Sequence, residues 1–310
     1  MTDLLAFVFP GQGSQSVGML ADHIDHPVVV QAFTEAAEVL GFDLLKLTIA
    51  GPGEELNKTE NTQPAVLTAS VALWRLWLEK DGEQPAFMAG HSLGEYSALV
   101  CSGAMKFSDA VRVVRQRGLF MQEAVPAGSG AMAAILGLDD QQVISLCLDA
   151  ARGDVVEAVN FNSPGQVVIA GEKEAVARAV ELAEEAGARK AMPLPVSVPS
   201  HCALMKSAAE KLAVELGLIE FSEPSITVIQ NVTAEPCSEP EKIRENLVRQ
   251  LYSPVRWVET IQYLNEAGVA RFAECGPGKV LAGLNKRIIR RSPIATLESA
   301  SSFEEWSGQY

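Results

Sequence analysis

Short apolar runs alternate with longer segments of helical periodicity along most of this chain. Uninterrupted apolar runs are typical of strands buried on both faces of a parallel sheet, whereas apolar residues at i, i+3 and i+4 indicate amphipathic helices. The alternation predicts an α/β fold with a mainly parallel sheet, a hydrolase-like core wrapped by helices. The predicted strands are Leu5–Phe9, Ala86–Ala89, Ile226–Ile229, Arg271–Glu274 and Ile294–Leu297. The predicted helices are Pro64–Leu78, Ser108–Glu123, Ala203–Leu216 and Glu239–Leu251, the last opened by a Ser238/Glu241 capping box.

A different order of elements lies between two segments rich in proline and glycine, 126–130 and 193–199. It runs strand, helix, two strands joined by a turn, helix and strand, which is the order of a ferredoxin-like unit. We therefore predict an inserted ferredoxin-like subdomain at 127–198 and a core made of 1–126 and 199–310. The strands are expected at 131–136, 155–160, 166–170 and 190–194, with a helix capped by Asp139 and Gln142 and another at 172–186.

The second predicted strand leads directly into Gly-x-Ser-x-Gly at residues 90–94, and a helical segment follows. This is the strand-turn-helix setting of a nucleophile elbow, in which a strained turn exposes a serine hydroxyl. Gly90 and Gly94 would let strand and helix approach closely around Ser92. The same turn would aim the backbone N–H of Leu93 at an oxyanion formed on a carbonyl that Ser92 attacks.

A serine nucleophile needs a base, and the chain has four histidines. His91 adjoins Ser92 and should leave the turn in another direction, so we expect it to pack beside the elbow. His23 and His26 lie in a polar stretch and are expected at the surface. His201 precedes a predicted helix, whose N-terminus would lower the imidazole pKa and keep the ring neutral. The residues alone leave open whether His201 is the base or a packed hinge residue.

Composition narrows the class of protein. With 310 residues, 48% of them hydrophobic, the chain can bury a large core. Its five cysteines are scattered, which favours free thiols in a cytoplasmic protein over disulfides or a metal site. Leu4–Phe9 is too short for a signal peptide, no apolar run could span a bilayer, and the polar tail after Ser299 is expected to fray. A net charge of −14 argues against nucleic acid as a partner.

Six separated motifs, in order from about residue 5 to residue 290, resemble those of the malonyl-CoA:acyl carrier protein transacylase family. They are the stretch 9–15, Thr62–Ala65, the elbow 90–94, Asn160–Gly165, Val198–His201 and Gly276–Gly278.

The resemblance implies a reaction and its catalytic residues. Ser92 would take the malonyl group from malonyl-CoA as an ester and pass it to the phosphopantetheine thiol of acyl carrier protein, with His201 as base in both half-reactions. The backbone carbonyl of Gln250 would orient His201, and the amides of Leu93 and Gln12 would bind the oxyanion. The resemblance implies no bound cofactor and no metal. The malonyl carrier protein so formed would supply fatty acid chain elongation.

The malonyl carboxylate requires a cation, and three arginines lie on the helix that begins near Ser108. Spacing does not choose among Arg112, Arg115 and Arg117, but the resemblance selects Arg117, with Gln63, Met121 and Asn160 as further substrate-binding residues. A guanidinium can hold a carboxylate through two parallel hydrogen bonds.

The carrier protein would be a transient partner of a monomer. Because acyl carrier proteins are acidic, docking to a chain of net charge −14 would need a local basic patch. Candidates are Arg189 with Lys190, and the C-terminal set Lys279, Lys286, Arg287, Arg290 and Arg291; both could equally be solvated surface.

Two other classes of function fit parts of the pattern. A serine esterase or thioesterase would use the same elbow but needs an acid to orient its histidine, and no acidic residue sits in a recognisable motif. A non-catalytic scaffold on the same fold would not need Ser92, His201 and Arg117 together. Acyl transfer is the hypothesis that gives a role to all three of these residues.

Overall fold

The computed structural model describes residues 3–126, 128–196, 198–290 and 292–307. Its strands are β1 (Leu4–Phe9), β2 (Phe87–Gly90), β3 (Gly130–Leu136), β4 (Val156–Ser163), β5 (Gln166–Glu172), β6 (Lys190–Pro193), β7 (Thr227–Ile229), β8 (Val269–Glu274) and β9 (Ile294–Thr296). Its helices are α1 (Pro27–Leu40), α2 (Leu44–Ala50), α3 (Gly53–Leu56), α4 (Thr59–Glu79), α5 (Gly94–Cys101), α6 (Phe107–Ala124), α7 (Asp140–Ala151), α8 (Lys173–Glu185), α9 (Lys206–Gly217), α10 (Pro240–Gln250), α11 (Trp257–Glu266), α12 (Val280–Ile288) and α13 (Ala300–Ser307).

The larger sheet has five parallel strands in the order β7-β2-β1-β8-β9, so the predicted parallel α/β core is confirmed. Its central strands are buried on both faces, which explains why they read as continuous apolar runs. From β1 the chain moves to β2 on one side and, later, to β8 on the other. The topological switch point therefore lies between β1 and β8, and a ligand crevice is expected at the carboxyl ends of these central strands.

The smaller sheet is antiparallel, with the order β4-β5-β3-β6, and α7 and α8 pack on one face. Strands and helices alternate as predicted for a ferredoxin-like unit, including the Asp139/Gln142 capping box. Backbone hydrogen bonds between Val255 and β4 join this sheet to the core, at 2.9 and 3.0 Å. The exact boundaries of the inserted subdomain stay a prediction. Ala127 and Ser197, in its two connections, lie outside the described residues.

Two helix starts differ from prediction because of proline. Helix α4 begins at Thr59, and Pro64 lies inside it. Pro64 has no N–H for the carbonyl of Glu60, which instead accepts a hydrogen bond from Arg115 at 3.4 Å. The Ser238/Glu241 capping box is wrong: Pro240 occupies the first turn of α10, and no side chain caps it.

The polar C-terminal tail does not fray at Ser299, as far as residue 307. Phe303 of α13 is 3% exposed and packs edge-on against the rings of Trp77 and His23. His23, expected at the surface, is therefore buried, and His26 is partly buried. Phe303, together with Trp306, which packs against the same core, anchors the helix.

Two findings concern the compartment. All five cysteines are free thiols. Across the described ranges, the helices are all too short or too polar to cross a membrane. A cytoplasmic location stays a prediction.

Candidate active site

The elbow forms where β2 ends and α5 begins. Ser92 has a φ of 52°, in the left-handed region that residues other than glycine seldom adopt. The glycines permit a very close crossing: a Cβ on Gly90 would lie 1.9 Å from the carbonyl carbon of Gly94, and one on Gly94 would lie 2.0 Å from the carbonyl oxygen of Phe9. Neither position can carry a side chain, so the steric reasoning from the sequence accounts for this turn.

The strained turn is held by Asn231, which the sequence analysis missed. Its Oδ1 accepts a hydrogen bond from the backbone N–H of Ser92 at 2.7 Å, and its Nδ2 donates to the carbonyl of Gly90 at 2.6 Å. Asn231 is 1% exposed and lies just after β7, which pairs with β2. These two bonds fix the backbone on both sides of the elbow.

His201 lies against the serine hydroxyl. Its Nε2 is 2.7 Å from Ser92 Oγ, and its Nδ1 donates to the backbone carbonyl of Gln250 at 2.7 Å. Because a carbonyl can only accept, the proton is on Nδ1 and the lone pair of Nε2 faces the hydroxyl. Burial, with a smaller contribution from the charge of Arg117, lowers the pKa of His201 to about 3. Desolvation, not the helix dipole expected from the sequence, is thus the main reason that the ring is neutral.

Arg117 is 2% exposed and reaches the same hydroxyl from α6. Its Nη2 donates to Ser92 Oγ and to Gln250 Oε1, both at 3.2 Å, and its Nη1 donates to Gln63 Oε1 at 2.8 Å. No carboxylate of the described chain lies within ion-pair distance of it. A buried cation without a direct counter-ion is costly, and it attracts an anion into the site.

The other two arginines of α6 have partners elsewhere. Arg112 pairs with Glu215 at 2.8 Å, and Arg115 donates to Asn61 at 2.9 Å. Of the three candidates that spacing could not separate, Arg117 is the one that lines the cleft with Ser92.

The amides of Leu93 and Gln12 are both available at this cleft. Within the described ranges neither N–H donates to a protein acceptor, and both residues line the cleft with Ser92. A Cβ on Gly11 would lie 2.5 Å from the carbonyl oxygen of His91, so the loop after β1 can approach the elbow only with glycine there.

The walls of the cleft come from both sheets. Met121 receives a hydrogen bond from Gln63 Nε2 at 3.6 Å, which orients the amide that holds Arg117. Asn160, on β4, presents an Oδ1 that has no partner within the described chain. The cleft is lined by Gln12, His91, Ser92, Leu93, Arg117, Met121, Met132, Asn160, Leu194, Val196, Val198, Ser200 and His201.

His91 and the basic candidates lie around this centre. His91 points away from Ser92, with Nε2 2.8 Å from Asn162 Oδ1 and its ring 5.5 Å from that of Trp257. Arg287, one of the C-terminal basic set, donates to Gln166 of the smaller sheet at 2.6 Å. Arg291 lies outside the described residues.

A neutral imidazole on a serine hydroxyl, two amides without a protein acceptor among the described residues, and a buried cation suit one kind of chemistry. They can form an ester between the serine and an acyl group that carries an anion. Fold and site thus indicate the class of α/β enzymes that act on acyl groups.

Comparison with known proteins identifies the family within this class. A model of the acyl transferase domain family matches residues 6–304. The chain is 59% identical over 298 residues to malonyl CoA-acyl carrier protein transacylase of Escherichia coli strain K12, covering 96% of each chain, and 48% identical over 302 residues to that of Bacillus subtilis strain 168, covering 97% and 95%. The chain therefore belongs to the acyl transferase family.

Solved structures agree. An acyl carrier protein S-malonyltransferase from Vibrio cholerae superposes with a TM-score of 0.95 at 57% identity, covering 97% of this chain and 99% of that one. A malonyl-transacylase in complex with its type II PKS acyl-carrier protein gives 0.98 at 56% identity, covering 99% and 100%.

Proposed function

We propose that this chain transfers the malonyl group of malonyl-CoA to the phosphopantetheine thiol of an acyl carrier protein, through a malonyl ester on Ser92. The observation that carries this proposal is the buried guanidinium of Arg117, 3.2 Å from the hydroxyl that would bear the acyl group. A cation at that distance can hold the free carboxylate of a malonyl group while Ser92 attacks the thioester. The names of the relatives favour the same substrate and carrier.

In the first half-reaction, His201 Nε2 takes the proton of Ser92 Oγ as the oxygen attacks the thioester carbonyl. The amides of Leu93 and Gln12 receive the oxyanion, and coenzyme A leaves with the proton from His201. The phosphopantetheine thiol then repeats these steps in reverse order on the malonyl ester. Ser92 is regenerated, so the kinetics are ping-pong. The malonyl thioester that results would serve fatty acid chain elongation.

The hydrolase alternative has less support. It needs an acid on its histidine, but His201 Nδ1 donates to the backbone carbonyl of Gln250. It also gives no role to Arg117. Three statements stay predictions: that the protein is a monomer, that it has no bound cofactor, and that the carrier protein docks on one of the basic patches.

Intact mass spectrometry tests the proposal. The protein and Ser92→Ala are each mixed with malonyl-CoA, and holo acyl carrier protein is added last. We expect one malonyl adduct, absent from Ser92→Ala and transferred to the carrier. An adduct lost to water as fast as to the carrier would favour the hydrolase, and no adduct with intact malonyl-CoA would refute the donor.

A further inference from the structure

A buried carboxyl group lies behind the elbow and has no part in the proposed reaction. Glu95, in the first turn of α5, is 0% exposed. Its Oε2 accepts hydrogen bonds from the backbone N–H of Asn231 at 3.0 Å and from Gln250 Nε2 at 2.8 Å. Placing a carboxyl group at this depth is costly unless its hydrogen bonds to these two groups compensate.

The first of these groups is the residue that clamps the elbow. Glu95 fixes the backbone of Asn231, and the Asn231 side chain bonds the N–H of Ser92 and the carbonyl of Gly90. A shift of Asn231 would therefore move the backbone that sets the direction of the nucleophile.

The second group is the amide that holds the cation. Gln250 Nε2 donates both to Glu95 and to the carbonyl of Ser92, at 2.8 and 3.0 Å, which leaves its Oε1 to accept from Arg117. An amide that loses one of the two acceptors of its NH₂ group is held less firmly, and a rotated amide would present a donor to the guanidinium. The backbone carbonyl of the same residue receives His201 Nδ1.

We propose that Glu95 is a positioning residue for acyl transfer: by accepting these two hydrogen bonds it aligns Ser92 through Asn231, and Arg117 and His201 through Gln250. This inference rests on the proposed function. It assigns the effect to the reach of the acceptor atom and not to the charge of Glu95.

The surroundings of Glu95 agree with that assignment. Arg117 is the cation that faces it, and Tyr96 and Cys237 are the other titratable groups on which its charge acts. Burial outweighs Arg117 and the two donors, and raises the pKa of Glu95 to about 7. Near neutral pH the carboxyl is thus partly protonated already, so a neutral amide of the same length is a close substitute.

Two conservative variants separate reach from charge. Glu95→Gln keeps an oxygen at the position of Oε2 and removes the charge. Glu95→Asp keeps the charge but withdraws the carboxylate by about 1.5 Å, one carbon–carbon bond, which lengthens both hydrogen bonds beyond their limit. For each variant we would measure the rate of Ser92 acylation from malonyl-CoA and from acetyl-CoA, with circular dichroism to verify folding.

We expect Glu95→Gln to stay within about threefold of the unchanged protein for both donors. Glu95→Asp should lose about 10²-fold with malonyl-CoA, the usual result of misplacing catalytic groups by about 1 Å. It should lose less with acetyl-CoA, which uses the elbow but not Arg117. The malonyl-to-acetyl ratio therefore falls in Glu95→Asp alone.

Each other outcome overturns the inference. Full activity in Glu95→Asp means that the reach is unimportant, and activity in Glu95→Asp with loss in Glu95→Gln means that the charge acts. Equal loss in both variants contradicts the acceptor role, and equal loss of both donors in Glu95→Asp contradicts the link through Gln250.

Glu274 provides the matched control, because it is equally buried and its carboxylate accepts from the backbone amides of Leu281 and Ala282 at 3.0 and 2.7 Å. Glu274→Gln and Glu274→Asp should leave the malonyl-to-acetyl ratio unchanged, and a fall there would make the effect general to buried glutamates and sink the inference. If the unchanged protein forms no malonyl ester, the proposed function fails and the inference falls with it. If the ester forms and Glu95→Asp is normal, the inference alone fails.

Discussion

Replacing Arg117 with alanine removes the cation while leaving the nucleophile and its base in place. Three of the five guanidinium donors are taken by Ser92, Gln63 and Gln250, and the side chain is 2% exposed, so a substrate carboxylate would meet it in a site shielded from water. Two charge-assisted hydrogen bonds of about 1.5–3 kcal/mol each give a loss of about 3–6 kcal/mol for malonyl transfer. That corresponds to a fall of about 10²- to 10⁴-fold in kcat/KM.

Acetyl transfer should respond differently. An acetyl group has no carboxylate, and removing Arg117 also removes a charge that lowers the pKa of His201, which makes the imidazole a stronger base. We therefore expect acetyl transfer by Arg117→Ala to stay within about tenfold of the unchanged enzyme. The assay is the rate of Ser92 acylation from each donor, with Arg117→Lys as the matched variant that keeps a charge but not the paired hydrogen bonds. An equal fall for both donors would refute the carboxylate role of Arg117.

Two further predictions concern stability. Because the folded pKa of His201 is about 3, far below its usual 6.5, folding excludes a proton that the unfolded chain binds at acid pH. The stability of the protein relative to His201→Gln should therefore be fully present above pH 6.5 and fall by about 2 kcal/mol between pH 6.5 and 5. Urea unfolding of both proteins at the two pH values measures this, and an unchanged difference between them would contradict it. Asn231→Ala leaves the amide of Ser92 and the carbonyl of Gly90 buried without the partners that Asn231 supplies, so it should lower the free energy of unfolding by about 2–4 kcal/mol. The control Asn57→Ala removes an exposed amide and should change the free energy of unfolding by less than about 0.5 kcal/mol. Equal effects of the two variants would refute the role of Asn231 in holding the elbow.

The parts of the fold that the sequence could predict are those with a local cause. Strands β1 and β2, inside the parallel sheet, are buried along nearly their whole length, and each therefore appears as an apolar run. The elbow is predictable only in part for the same reason: a Cβ on Gly90 would meet Gly94 and Glu95, within a few residues of Ser92, whereas a Cβ on Gly94 would meet Phe9, which is distant in the sequence. The ferredoxin-like order follows from alternation and turn chemistry, which are also local.

The errors arose where a distant contact, or in one case a neighbouring proline, overrode the expected local preference. His23 and Phe303 each lie in polar stretches, and contacts across most of the chain, of Phe303 with His23 and with Trp77, accompany their burial. Ser238 offered the side chain of a capping box, but Pro240 set the start of α10. The neutral state of His201 was expected from a helix terminus, yet burial under elements remote in sequence is its main cause.

Gln250 shows why the network around the site could not be predicted in full. The resemblance implied only its backbone carbonyl, and nothing in the local pattern marks its side chain, which meets Ser92 across 158 positions and Glu95 across 155. A buried glutamine is satisfied only if each end of its amide finds a partner of the right kind, and those partners come from α5, α6 and the elbow at once. A local sequence pattern can therefore suggest which groups react, but the alignment of those groups depends on the folding of the complete core.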